Sequence, residues 1–440
     1  MNVLHFGLTP KMKPVSPRRA AVVAALDVGT SKIVCLIARL EPHPPQEVLR
    51  RRSHGVCVFG ASHVAARGMK AGSVVDLDAA ELVVRQAIDA AERRAEVQLE
   101  SVVVSLSGGR IESEHFTAGI EVSGTVTHND ITRVLAAASR HAVRNDRAVL
   151  HSLPVGYSLD AVTGIRDPRG MLGRRFGVDM HMATADFATA RNLMLTVERS
   201  HLGVEAMVAS PYVAGLSVLA DDEADLGAAV IDMGAGTTTL AVFSGGRFVH
   251  TDGFALGGGH ITLDLARGLH AGIADAERIK TFYGSVLTGG SDDRDMITVP
   301  PVGDDDREPP QFVSRENIVR IIRPRVEEIL ELARDRLANS PFAAEPRARV
   351  VLTGGASQLG GLADLAARIF GRPVRIGRPL GVAGMPDAAK GPAFAVAAGL
   401  LVYPQAADLE HLEPRRTRQL MMTGTGGYMA RVGRWLRESF

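Results

Sequence analysis

No apolar run in the 440 residues approaches the roughly 18 to 20 positions that a membrane-spanning helix requires, so no helical span is expected. The N-terminus also lacks the pattern of a signal peptide, and the protein is expected to be made and kept inside the cell. Cysteine is scarce. Cys35 and Cys57 stand in separate apolar stretches without metal-ligand spacing, which excludes a disulfide scaffold and a cysteine zinc site and leaves two buried thiols in a reducing compartment as the expectation. Charge of either sign is not in excess: 50 Lys and Arg against 49 Asp and Glu give a net charge of +1. Such a balance provides no global field for nucleic acid, and none is expected as a partner.

What the chain has in quantity is apolar residues, at 46% of the whole, enough to bury a large core over more than one domain. Residues 1–19 are basic and broken by proline, which reads as a flexible leader. The stretch AAVVAALDVG followed by TSKIVCLIARL then reads as two β-strands around a glycine turn, because both flanks are β-branched and aliphatic. A further strand around VCVFGAS, a helix at LDAAELVVRQAIDAAERRAEV and a buried strand SVVVSLSG follow. From about Gly108 to Met182 the pattern changes to short strands and polar turns with one helix, ITRVLAAASRHAV, as expected of a small inserted domain.

After Ser210-Pro211 the segment AAVIDMGAGTTTLAVFSGG repeats the logic of the first hairpin, with Asp232 in the place of Asp27. This repetition indicates an internal duplication: an α/β protein of two related lobes with a cleft between them. An acidic, Pro-rich stretch at 289–311 is expected to be a solvated loop, and a helix is expected from about Arg315 to Asn339. VVLTGGASQLGGL reads as a strand, a glycine turn and a helix start, and residues 405–426 read as a polar, Gly-rich linker.

Both hairpins set an aspartate at a strand end before a Gly-rich turn with hydroxyl residues: Asp27, Gly29, Thr30, Ser31 and Lys32 in the first, Asp232, Gly234, Gly236, Thr237 and Thr238 in the second. Glycine lets backbone N–H groups approach phosphate oxygens, and a concave run of amides favours an anion. A carboxylate facing phosphate needs a divalent cation between them. Asp232 and Asp27 are therefore expected to hold magnesium through water, with Lys32 adding a point charge. No GxxxxGK[ST] loop is present, and Gly257-Gly258-Gly259 does not follow the dinucleotide fingerprint.

The ordered set of two hairpins and the later VLTGGAS turn resembles the actin, chaperone and sugar-kinase superfamily, which implies ATP as the ligand. The resemblance implies that Gly354, Gly355 and Gln358 of the third turn lie against the adenosine, adds Gly258, and gives Glu277 and Lys280 of DAERIK a place at the ribose and adenine. Within the superfamily, RGMKAGSVVDLDAAELVVRQAIDAAE, VVVSLSGGRIES, NDRAVLHSLPVGYSLD, DAERIK, VVLTGGASQLGGLADLAARIFGRPVRIGRP and the closing GRWLRESF resemble the bacterial cell-division family FtsA, over about residues 20–440.

That likeness implies a division into a first lobe (20–106 and 183–210), an inserted domain (107–182), a second lobe (211–264 and 346–404) and its outer subdomain (265–345). It further implies an actin-like polymer on the cytoplasmic face of the inner membrane at the division site. The tail of the tubulin-like protein FtsZ would be bound through the outer subdomain, where Arg315, Arg320, Arg323 and Arg325 are expected to be exposed for an acidic peptide. Later division proteins would be met through the inserted domain. Ala235 stands where such turns often carry glycine, which leaves the turn geometry open, and no residue is assignable as orienting an attacking water, so hydrolysis is left open and expected to be weak or absent. A small-molecule or sugar kinase needs a catalytic carboxylate and a substrate pocket, and a chaperone-type ATPase needs an appended peptide-binding domain. These are competing readings, and the third is a pilus-assembly or rod-shape actin homologue, disfavoured by the placement of the inserted domain and by the RGMKAG segment.

At about 100° per residue, Tyr428, Met429, Val432, Trp435, Leu436 and Phe440 share one side of a helix and Arg431, Arg434 and Arg437 the other. Residues 427–440 would extend only about 21 Å as a helix, short of a bilayer core of about 30 Å. The segment is expected to lie in the interface of an anionic membrane, with Trp435 at headgroup depth. One copy would bind weakly, and a polymer would multiply it.

Overall fold

The computed structural model describes residues 9–43, 49, 51–289, 293–301, 310–345 and 348–407. The membrane-targeting residues expected at 427–440 lie outside these. Two sheets built to one plan form the body. In the first, the strand order is Gly203–Ala209, Ser101–Leu106, Ala21–Val28, Lys32–Pro42, His54–Ala65 and a short Val382–Ala383. In the second it is Val374–Ile376, Arg349–Thr353, Ala228–Met233, Thr238–Ser244 and Arg247–Phe254. Each hairpin pairs antiparallel within itself and parallel with the next strand on its far side. Register repeats too, since Asp27 lies opposite Val34 and Asp232 opposite Thr239. The strand segments are nearly continuous runs of buried aliphatics, as expected where both faces are covered.

Two helices tie the lobes. Ser210–Val218 follows the strand Gly203–Ala209, and Ala395–Val402 lies close to the end of the described chain; both are apolar on all sides and almost wholly buried, as a helix inside a core must be. They pack so closely that a Cβ on Gly399 would stand 1.8 Å from the carbonyl oxygen of Val213.

The inserted domain departs from the expectation of short strands. Glu112–Thr125, Arg147–Leu159 and Leu172–Asp186 are long, and with Val162–Ile165 they form a sheet packed on one helix. That helix runs His128–Ala138, earlier than the apolar spacing suggested. Thr127 explains the start, because it accepts from the Asp130 N–H at 3.4 Å while its own N–H donates to the Asp130 carboxylate at 2.9 Å. Although the insert interrupts the first lobe in sequence, its sheet joins the second lobe's sheet through pairing of Glu112 with Asp252.

The leader differs from expectation over its described part. Residues 9–19 run along the body: Thr9 donates through N–H and Oγ1 to the Val149 carbonyl, Pro10 accepts from the Met207 N–H at 3.3 Å, and Val15 donates to Pro404 at 3.2 Å. Met12 is buried in the first lobe's core, so proline here favours an extended strap rather than a loose arm. Cys35 is buried, which pushes its thiol up to about 12, but Cys57 is exposed on the outward side of its strand. The helix Arg315–Ala338 begins and ends close to expectation, with Ser314 as its cap.

Candidate nucleotide site

The two hairpin turns have the same hydrogen bond at the same place. Gly29 N–H donates to the Lys32 carbonyl at 3.0 Å, and Gly234 N–H donates to the Thr237 carbonyl at 2.9 Å. A Cβ at either glycine would meet that carbonyl at 2.9 or 3.0 Å, so the tightness of the turn selects glycine. Ala235 has no positive φ, which removes the doubt raised by its departure from glycine. The hairpins also touch: a Cβ on Gly236 would stand 2.5 Å from Thr30 Oγ1.

The third turn closes on the second hairpin. Gly354 takes φ +86° and ψ 169°, a conformation open to glycine almost alone, and a Cβ there would stand 2.4 Å from Asp232 Oδ1. The glycines that open the helix Gly258–Gly268 dock on the same turn, Gly258 N–H donating to the Gly234 carbonyl at 2.8 Å and Gly259 N–H to that of Ala235 at 2.8 Å.

Between these turns lies a cavity of about 890 Å³. Asp27, Gly29, Thr30, Ser31, Lys32, Asp232, Gly234, Thr237, Gly258, Glu277, Lys280, Gly354, Gly355 and Gln358, all singled out in the sequence, line it together. Gly236 and Thr238 do not line it. Gly236 is the contact point between hairpins, and Thr238 is buried with its Oγ1 donating to the Leu256 carbonyl at 2.8 Å.

The wall also contains residues that sequence reasoning passed over, among them Ser107, Ser210, Gly259, Ala356, Pro392 and Ala393. Ser210 carried a signal, since Ser-Pro after a buried strand marks a helix start at a strand's C-terminal end. Pro392 and Ala393 carried none. They enter because the chain returns from the second lobe to the first, where the Ala393 carbonyl accepts from Lys32 Nζ at 2.6 Å and Phe394 lies 3.8 Å below that ammonium.

Two carboxylates and one lysine set the electrostatics of the hairpin end of the cavity. Burial pushes Asp232 up to about 7, the charge of Asp27 adds to this, and Lys32 opposes it. Asp27 is likewise raised by burial, against a 2.7 Å hydrogen bond from Ser105 and the charge of Lys32. Burial lowers Lys32 while both aspartates hold it up. An opposing positive charge between the aspartates would relieve both. At the other end, Lys280 Nζ donates to Glu277 Oε2 at 2.7 Å, Thr262 Oγ1 at 2.7 Å and the Gly258 carbonyl at 3.0 Å, fastening helix Ile273–Tyr283 to helix Gly258–Gly268. Leu263, Ile273 and Leu359 give that end an apolar lining suited to a flat base.

The four arginines expected on the outer helix are less exposed than anticipated. Only Arg320 is fully exposed, pairing with Glu316 at 3.4 Å. Arg323 pairs with Glu327 at 2.8 Å, Arg325 with Asp264 at 2.6 Å, and Arg315 is half-buried.

A model of cell division protein FtsA matches residues 229–399, and a model of the SHS2 domain inserted in FtsA matches residues 108–184. Cell division protein FtsA of Agrobacterium fabrum is 53% identical over 438 residues, covering 99% of this chain and 98% of the relative. The Escherichia coli K12 protein of the same name is 33% identical over 430 residues, covering 95% and 98%. Among solved structures, a PilM-PilN type IV pilus biogenesis complex aligns with a TM-score of 0.59 at 18% identity, covering 87% of this chain and 98% of that one. MreB5 of Spiroplasma citri bound to ADP aligns with a TM-score of 0.51 at 16% identity, covering 89% and 98%. These structural likenesses bear on the fold, which is actin-like with an SHS2 insert in the first lobe. Identity across nearly the full length decides the rest: the chain belongs to the FtsA family of cell division proteins.

Proposed function

We propose that this protein binds ATP with magnesium in the cleft, assembles as an actin-like polymer on the cytoplasmic face of the inner membrane, and tethers the FtsZ ring there. The observation that carries the nucleotide reading is the duplicated Asp-Gly turn, presented twice across one cavity and closed by a third glycine turn. The turns offer backbone N–H groups to phosphate, and the apolar end beside Glu277 and Lys280 receives the base. A buried and a half-buried carboxylate, with only Lys32 near enough to both to offset their charge, fit a cation. Asp232 and Asp27 would hold magnesium, and among the described residues no group of three or more His, Cys, Asp or Glu is placed to ligate a metal ion, so water and phosphate would complete its shell. Bound there, the cation would offset the charge of the phosphates against the carboxylates.

Membrane attachment rests on residues 427–440, whose apolar and arginine faces suit an interfacial helix. Among the described residues no helix is long and apolar enough to cross a membrane. Each arginine near an anionic leaflet contributes on the order of 1 kcal/mol, and Glu438 offsets one, so a single copy holds weakly and a polymer holds firmly. The FtsZ tail is assigned to the outer subdomain around Arg315, Arg320, Arg323 and Arg325, and later division partners to the insert. Co-sedimentation with anionic liposomes is expected to depend on residues 427–440 and to strengthen with Mg-ATP. Equal pelleting of a chain truncated before Gly427 would overturn the anchoring.

A further inference from the structure

A second cavity, of about 730 Å³, lies where the insert, the first lobe and the second sheet meet. One side of it is aromatic: Tyr212 stacks on Phe248 at 4.5 Å, with Phe243 5.7 Å from Phe248. The other side is cationic, with Arg51, Arg52, Arg166, Arg169 and Arg247 against only Asp167 and Asp221 on the wall. Three of these arginines are engaged. Arg51 is bound to Asp225, Arg52 donates to the carbonyls of Leu380 and Leu216 at 2.6 and 2.8 Å, and Arg169 pairs with Asp167 at 2.5 Å.

Arg166 and Arg247 are not matched in this way. Among the described residues neither has a carboxylate within ion-pair distance, and Arg247 has only a 3.2 Å hydrogen bond to the backbone oxygen of Arg166. Burial lowers the pKa of Arg247, and the charges of Arg166 and Arg51 lower it further against Tyr157. A half-buried guanidinium held among like charges calls for an anion. An aromatic wall beside it calls for an anion with apolar parts.

The chain itself carries such a segment to the rim. Val402, Gln405 and Ala406 line the cavity, the description ends at Ala407, and the next six residues are Asp408, Leu409, Glu410, His411, Leu412 and Glu413. Six extended residues reach about 20 Å, ample for the cavity at whose edge they begin. In an extended run residues 408–410 present Asp408 and Glu410 on one face and Leu409 on the other, which matches a site with one cationic and one aromatic side; beyond them Leu412 falls on the acidic face and Glu413 on that of Leu409.

We propose that Asp408–Glu413 docks in this cavity, the Asp408 and Glu410 carboxylates on Arg166 and Arg247 and Leu409 on the Tyr212–Phe248 wall. Tethering makes the docking intramolecular, so weak individual contacts suffice. Docking fixes the point from which the remaining tail leaves the body and joins insert, first lobe and second sheet through one strap. This inference does not depend on the nucleotide or membrane readings, because its test needs neither ligand.

The test is hydrogen exchange on the full chain without nucleotide or lipid. Amides of 408–413 are expected to exchange at least about 10-fold more slowly than those of 414–426, as one or two charge-assisted contacts would produce. The double variant Arg166→Ala/Arg247→Ala should erase this difference while strands Ala228–Met233 and Thr238–Ser244 stay protected. A tail variant that leaves the cavity intact, Asp408→Asn/Glu410→Gln, should erase it equally. Equal exchange of 408–413 and 414–426 in the unaltered chain overturns the proposal. So does protection that survives the arginine variant in a folded protein, or a thermal shift by inorganic phosphate that requires Arg166 while 408–413 exchange freely, which would assign the cavity to a free anion.

Discussion

Replacing Asp232 by asparagine separates what this residue costs the empty protein from what it contributes to the bound one. Burial, aided by Asp27, raises its carboxyl from 3.8 to about 7. Each unit corresponds to about 1.4 kcal/mol, so ionising Asp232 in the empty cleft costs up to about 4 kcal/mol. The sign follows from proton uptake. Between about pH 4 and pH 7 the folded protein holds a proton that the unfolded chain has released, so stability falls as pH rises through this window and levels off above it. A neutral carboxamide in the same place would bear no charge and would escape this loss. Without nucleotide and with EDTA at pH 8, Asp232→Asn is therefore expected to be more stable than the unaltered protein by about 2 to 4 kcal/mol, read as a rise of several degrees in Tm, with the gap closing toward pH 5. Saturating Mg-ATP should reverse the order, because only the carboxylate meets the cation. Affinity for Mg-ATP should rise up to about tenfold per pH unit below pH 7, with close to one proton released on binding near pH 6, measurable by calorimetry in buffers of different ionisation enthalpy. A variant that melts lower than the unaltered protein in EDTA at pH 8, or that keeps its full Mg-ATP shift, would refute the reasoning.

Gly354→Ala should lose both nucleotide affinity, by more than about tenfold, and stability, because φ +86° admits few other residues and the added Cβ would meet Asp232 Oδ1 at 2.4 Å and the Met233 carbonyl at 2.5 Å. Gly371→Ala is its control: φ is +60° with nothing within 4 Å, so about 1 kcal/mol of stability and no affinity should be lost, as titration calorimetry and thermal melts would register. Gly399→Ala should destabilise by about 3 kcal/mol or more in denaturant unfolding, since its Cβ would overlap the Val213 carbonyl where the two buried helices join the lobes.

Much of the site was legible because its signals are local. A β-branched run ending in Asp, a glycine and a hydroxyl residue specifies a strand and its turn within about ten positions, and Asp27 and Asp232 both arrive that way. Residue type alone could not separate Thr237, on the cavity wall, from Thr238, whose hydroxyl binds Leu256. Neighbours along a strand face opposite ways, and which face meets the cavity depends on the sheet's neighbours. The insert's strands read as short because their outer positions alternate with exposed polar residues, although ladders such as that from Leu172 to Thr184 continue unbroken over most of their length.

By itself the sequence determined the two related lobes, the insert, the three glycine turns and the family, since each is written in consecutive residues. Tertiary structure alone decided that the charge of Asp27 reaches Asp232 across one cavity and raises its carboxyl, that the insert's sheet extends the second lobe rather than the first, and that Arg166 and Arg247 meet at the rim where the described chain ends. The physical reason is distance along the chain. Periodicity and turn chemistry act over a few residues, whereas burial, charge and cavity shape arise only when segments hundreds of positions apart exclude the same water.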